Sequence, residues 1–178
     1  LAREMTQKTG QKCTAIRRVM VPKDKVDAFR EALGERLDDI KVGNPAEKAA
    51  RMGPIATQRQ LEDTKAGLSK LMEDAELVHG STERPDLVGD VPEGKGFFVN
   101  KILLQAKNSH EADNVHSLEV FAPVMTILPY EGDAEEAVAL VRKGAGTLVS
   151  SVYSDDRKFV DKAFTGIAPY TGRLNLGS

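Results

Sequence analysis

Apolar residues recur at three- and four-residue steps at Val26, Phe29, Leu33, Leu37 and Ile40, which predicts an amphipathic helix from Lys23 to Asp39. Before it, Arg18-Val19-Met20-Val21 reads as a short strand ended by Pro22, and Gly43-Asn44-Pro45 punctuates its far end. A second helix is expected from Thr57 to Asp74, with Leu61, Leu68, Leu71 and Met72 on one face. Glu76 to His79 then reads as a strand, and Ser81 to Lys95, with Pro85, Gly89, Pro92 and Gly94, as an exposed loop. Phe97 to Gln105 and Val124 to Tyr130 are apolar and partly β-branched, as strands are. Asp133 opens a helix with Glu136 as its capping-box partner and Ala134, Ala137, Val138 and Val141 facing inward. Thr147 to Tyr153 is a strand, Asp155 to Ile167 a helix with Phe159, Val160, Ala163 and Phe164 inward, and Arg173 to Leu176 a last strand. Strands alternating with helices of this length imply parallel pairing through right-handed crossovers. The expected fold is α/β, an open, twisted, mainly parallel sheet flanked by helices, in one domain spanning 1–178.

Composition removes several functions. With 25 basic against 27 acidic residues and a net charge of −2, the chain carries no electrostatic footprint for nucleic acid. Tryptophan is absent and aromatics are few, so stacking platforms for single strands are not expected. No apolar run is long enough for a transmembrane helix, and Leu1-Ala2-Arg3-Glu4-Met5 lacks signal-peptide architecture. A single cysteine excludes an internal disulfide and fits a reducing cytoplasm. Leu1 to Thr9 reads as a helix already in progress, and the chain stops directly after a strand-like run. A piece of a longer polypeptide is the expectation.

Cys13 follows a charged helix-like segment and a glycine turn and precedes a strand-like run. Facing a cleft, such a thiol is a nucleophile; buried, it only fills space. Both readings stay open on this residue alone. His79, His110 and His116 are too few and wrongly spaced for zinc and read as surface histidines, so no metal site is expected. Gly94-Lys95-Gly96 and Gly144-Ala145-Gly146 lack the later glycine and the strand-to-helix context of a phosphate-binding fingerprint; the second closes the helix that began at Asp133. No serine nucleophile elbow occurs.

Two distant segments carry the stronger signal: Gly10-Gln11-Lys12-Cys13-Thr14-Ala15-Ile16-Arg17-Arg18, and Leu118-Glu119-Val120-Phe121-Ala122-Pro123-Val124. Together they resemble the aldehyde dehydrogenase superfamily, in which a Gly-Gln-x-Cys segment presents the nucleophile and a Glu-x-Phe-Gly-Pro-Val segment meets the cofactor. Val42-Gly43-Asn44-Pro45 and Met52-Gly53-Pro54-Ile55 resemble two further turns of that family. Lys8 stands where many members have asparagine, Leu118 replaces a frequent glutamate, Ala122 replaces glycine, and Lys143 to Leu148 departs from the usual Asn…Tyr-Gly-Leu stretch. Met5 to Arg18 looks most like the enzymes of bacterial phenylacetate and benzoate breakdown that oxidise a CoA-linked semialdehyde.

The resemblance implies a nucleophile-bearing catalytic domain whose dinucleotide-binding domain, general base and side-chain oxyanion donor lie outside these residues. It implies NAD or NADP as cofactor, a small-molecule aldehyde as substrate and a homo-oligomeric parent, with the isolated 178 residues inactive. Cys13 would attack the carbonyl, its backbone N–H would bind the oxyanion, and hydride would leave for the nicotinamide. Water would then release the acid from the thioester. Glu119 would accept from the hydroxyls of the nicotinamide ribose, and Phe121 would steady the ring. Gly10 is expected to let the backbone approach closely, and a bulky residue there to block the substrate. Two other classes compete: a non-redox thiol acyltransferase using Cys13, and an interaction domain with Cys13 as inert core.

Overall fold

The computed structural model describes residues 1–177. The period-3.6 segment after Pro22 becomes a 3₁₀ turn and then helix α2 (Val26–Asp38), and α3 spans Gln58–Asp74 with the Thr57 hydroxyl accepting from the Gln60 N–H at 3.2 Å. The apolar runs form β1 (Arg18–Pro22), β2 (Ala75–His79), β3 (Ile102–Ala106) and β4 (Val124–Tyr130), in the spatial order β1-β4-β3-β2. β1 and β3 pair parallel to β4, and β2 runs antiparallel to β3.

Side chains alternate across this sheet, and both faces are covered. Leu103, Met125 and Ile127 pack with Leu33 and Leu37 of α2 and with Met5 of the short helix α1 (Ala2–Thr6). Ile102, Leu104, Val124 and Leu128 meet Leu68 and Leu71 of α3 and Val115 of α4 (Asp113–Ser117), a helix too short to leave a period in the sequence. No helix among the described residues is long and apolar enough to cross a membrane.

The chain departs from the expected single sheet at its end. β5 (Thr147–Tyr153) and β6 (Thr171–Gly177) pair in parallel as a separate two-stranded sheet. Val152 of β5 packs with Val138 of α5 (Ala134–Arg142) and with Ala163 and Ile167 of α6 (Arg157–Ile167). Local periodicity fixes that a segment is a strand, not which sheet it joins. Phe164 was expected inward but is 49% exposed, because the buried face of α6 runs through Ala163 and Ile167.

The strand expected from Phe97 forms only from Ile102. Gly80, at φ +90°, ends β2 against the Lys101 carbonyl, and upstream of that point Phe97 retains only an isolated bridge to Ile55. The capping box at α5 is half made. Asp133 accepts from the Glu136 N–H at 2.8 Å, whereas Glu136 turns to the Glu131 N–H (2.7 Å) and to His110 (2.8 Å).

Candidate active site

The register of the parallel β1–β4 pair decides what meets at the amino ends of these strands. Arg18 aligns with Thr126, and the Thr126 N–H donates to the Arg17 carbonyl at 2.7 Å. The segments entering the two strands therefore run side by side. Their tightest approach is Gly10, where a Cβ would sit 2.2 Å from the Ala122 carbonyl carbon and oxygen and 2.4 Å from the Pro123 nitrogen. The missing side chain makes room for backbone, the close approach expected of Gly10. Ala122 and Pro123 are buried, and the Pro123 carbonyl accepts from the Ile102 N–H at 2.9 Å, so this peptide is anchored in the sheet.

The expected helix from Leu1 to Thr9 breaks after Thr6. Lys8 (φ 53°), Thr9 (φ 57°) and Gly10 (φ 68°) are consecutively left-handed. Asparagine tolerates that conformation better than lysine, and a β-branched residue there is a true outlier. Thr9 is held by its hydroxyl, which donates to the carbonyls of Gly53 (3.1 Å) and Pro54 (3.4 Å). Gln11 accepts from the Ala56 N–H at 3.0 Å. Residues 53–56 thus clamp the turn, and strain of this kind gathers at functional sites.

Cys13 follows in a turn closed by the Ala15 N–H to Lys12 carbonyl bond of 3.0 Å. Its side chain is exposed, which removes the reading of Cys13 as core filler. Its backbone N–H has no acceptor among the described residues. Lys12 turns back to Glu4 and to the Gln7 side chain (2.9 Å), and its ammonium holds the Glu4 carboxyl below the usual range.

Across the Gly10 contact lie Glu119, with 60% of its side chain exposed, and Phe121, 39% exposed. The residue joining the two segments is Arg17, which sequence reasoning missed. Its guanidinium donates to the carbonyls of Ala15 (3.0 Å), Gly10 (3.2 Å) and Lys12 (3.4 Å). Its Nε lies 3.3 Å from a Glu119 carboxylate oxygen, and its Cζ 5.1 Å from the Phe121 ring centre. Burial pulls the Arg17 pKa down, and the charges of Glu119 and then Cys13 oppose that. The one available signal was two adjacent arginines entering a strand, whose side chains must point opposite ways.

Arg18 takes the other way. It donates to the carbonyls of Leu140 (3.1 Å) and Val141 (3.3 Å), satisfying the end of α5, and its Nη1 lies 3.0 Å from His116 Nδ1. The expectation that all three histidines are surface residues fails here: His116 is buried, with Nε2 2.7 Å from the Ser109 carbonyl. A guanidinium only donates and a carbonyl only accepts, so His116 is neutral with its proton on Nε2. Burial above all, and the nearby Arg18 charge, push its pKa down, against the Ser109 bond.

The unfolded histidine titrates at about 6.5. Just below that value the unfolded chain binds more protons than the folded one, so stability falls as pH drops through this window and levels off below the folded-state pKa. The unfolding midpoint should therefore decline below about pH 6.5, and His116→Gln should remove that part of the decline. An equally steep decline in His116→Gln would show that His116 is not its source.

A helix-covered, mainly parallel sheet that presents an exposed thiol turn against an exposed acid and aromatic defines an α/β protein with a cysteine site at its strand amino ends. The aldehyde dehydrogenase family model matches residues 1–173, and the chain belongs to that family. It is 41% identical over 174 residues to a 3,4-dehydroadipyl-CoA semialdehyde dehydrogenase of Aromatoleum evansii, covering 98% of this chain and 33% of that protein. Lactaldehyde dehydrogenase from Escherichia coli superposes with a TM-score of 0.82 at 27% identity, over 98% of this chain and 34% of that one. A mutant betaine aldehyde dehydrogenase from Staphylococcus aureus in complex with NAD+ gives 0.81 at 25% identity, over 98% and 34%. The chain spans about a third of the length of the curated relatives it matches.

Proposed function

We propose that these residues are the nucleophile-bearing catalytic domain of an NAD(P)-dependent aldehyde dehydrogenase, acting on a CoA-linked semialdehyde from aromatic-ring breakdown. The observation that carries this reading is the seating of the exposed Cys13 turn, through Gly10, on the Ala122–Pro123 peptide beside Glu119 and Phe121. Family membership and the 41% identity to a CoA-semialdehyde dehydrogenase support the reaction and the substrate class.

The residues fit one end of the cofactor. An exposed carboxylate can accept from two ribose hydroxyls, and an exposed phenyl ring offers a flat apolar surface to the nicotinamide. The sequence holds no glycine fingerprint for the pyrophosphate, which falls to other parts of the full-length protein. When bound, the oxidised nicotinamide supplies the two-electron acceptor.

Cys13 acts as thiolate. Its sulfur bonds to the carbonyl carbon, the π pair moves to oxygen, and the free Cys13 N–H donates to that oxygen. With the oxygen pair returning to re-form the carbonyl and the C–H hydrogen lost as hydride to the two-electron acceptor, Cys13 would hold the acyl group as a thioester. Water, activated by a base supplied from outside these residues, breaks the C–S bond and returns the thiol. A cytoplasmic, homo-oligomeric protein belongs to the same reading. Leu148, Tyr153 and Leu176, exposed on β5 and β6, support burial of that surface by further protein.

The test supplies the full-length protein with a CoA-linked semialdehyde and NAD+ or NADP+ and follows nicotinamide reduction. Reduction is expected, with the acyl group trapped on Cys13; none with any aldehyde would refute the reading. Glu119→Gln weakens an acceptor worth ~1.5–3 kcal/mol, so the cofactor Kd should rise at least about tenfold. An unchanged Kd would take Glu119 out of the cofactor site.

A further inference from the structure

We propose that Arg17 is a positioning residue that locks the Cys13 turn to the Glu119–Phe121 segment, so that nucleophile and cofactor contacts are held as one unit. The inference rests on the roles assigned above to Cys13 and Glu119.

Three carbonyls, those of Gly10, Lys12 and Ala15, bracket Cys13 in the chain, and one guanidinium binds all three. Residues 53–56 hold the turn's entry at Thr9 and Gln11, and Arg17 is the side chain that binds its carbonyls on both sides of Cys13. That entry is left-handed over three residues, and Lys12 is committed to Glu4 and Gln7. The same guanidinium spans to the other segment, lying over the Phe121 ring at 5.1 Å and within 3.3 Å of Glu119. Only 16% of the Arg17 side chain is exposed, so its end of the bridge is held inside the protein, while Glu119 at the other end stays open to solvent.

The contact with Glu119 is of a particular kind. The Nε is buried with no hydrogen bond despite its closeness to the carboxylate, because its N–H is not directed at the oxygen. Arg17 thus attracts Glu119 without taking up its acceptor capacity, which stays available to a ligand hydroxyl. Lysine cannot replace this: binding several carbonyls while stacking on a ring needs a planar fork, not a point charge. Arg18, one residue on, contributes nothing to the bridge, since it points to α5.

The experiment uses the full-length protein with Arg17→Met, which keeps bulk, and Arg17→Lys, which keeps charge. NAD+ affinity is measured by calorimetry, Cys13 alkylation by iodoacetamide without cofactor, and folding by the unfolding midpoint. Both variants should raise the NAD+ Kd about tenfold and alter the Cys13 alkylation rate by several-fold. If Arg17 and Glu119 act as one unit, the Kd of Arg17→Met combined with Glu119→Gln should rise by less than the product of the single effects.

Kd and alkylation both within about twofold of the parent in Arg17→Met would overturn the proposal, as would strictly multiplicative effects in the double variant. Should Arg17→Met fail to fold, Arg17→Lys decides: parental Kd and alkylation overturn it, and loss of both with a parental midpoint supports it. The underlying reading fails separately, through an active Cys13→Ala or an unchanged Kd in Glu119→Gln with Arg17 intact.

Discussion

With Cys13 replaced by alanine, the full-length protein is expected to bind its cofactor as before and to oxidise no aldehyde. The sulfur is the only atom at this turn able to make the carbonyl carbon tetrahedral, and neighbouring side chains do not substitute for it. Lys12 is paired with Glu4 and Gln7, and Arg17 is held by three carbonyls. Removing a covalent nucleophile typically costs far more than removing a binding contact, so kcat should fall by at least about a thousandfold. The alanine methyl occupies an exposed position, which leaves the Gly10 contact and the Arg17 bonds in place. Cofactor affinity and unfolding midpoint should therefore stay at parental values. Steady-state turnover beside calorimetric cofactor binding checks both halves, and turnover within tenfold of the parent would remove Cys13 from the nucleophile role.

Much of the fold was legible because long periodic segments bury one stripe. α2 and α3 lie where their apolar steps put them, and β1 and β4 where the β-branched runs put them. What stayed hidden depended on partners. Phe97 has the composition of a strand residue, yet no strand continues alongside it past Gly80. β5 reads like any strand, but its ladder partner is β6 alone.

The site divides the same way. The two motifs were visible in the sequence, whereas their meeting is a consequence of the β1–β4 register. The general rule for open α/β sheets places ligands at strand carboxyl ends, whereas these segments gather at the amino ends. Arg17 and His116 were illegible for a plainer reason. Arginine and histidine are read as exposed by default, and only the structure shows the carbonyls that satisfy them once buried.

Gly10→Ala should be the most damaging substitution at the site apart from loss of the thiol itself, and by a different route. The backbone there is left-handed at φ 68°, and the new methyl carbon would lie 2.2 Å from the Ala122 carbonyl. That neighbour is main chain, so no side-chain rotation relieves the contact. Nor can the peptide withdraw easily, since Pro123 is fully buried and its carbonyl is bonded to Ile102 at the start of β3. The turn must move instead, carrying Cys13 away from Glu119 and pulling the Gly10 carbonyl from Arg17. Left-handed strain costs ~1–2 kcal/mol and overpacking typically ~1–3 kcal/mol, which together predict a loss of ~2–5 kcal/mol of local stability. Loss of turnover should accompany a lowered unfolding midpoint and an altered rate of Cys13 alkylation, whereas Cys13→Ala, with no thiol left to alkylate, lowers turnover and leaves the midpoint unchanged. A Gly10→Ala protein with parental midpoint, alkylation and turnover would mean that the two segments do not touch as described, and the joined site would fall with that contact.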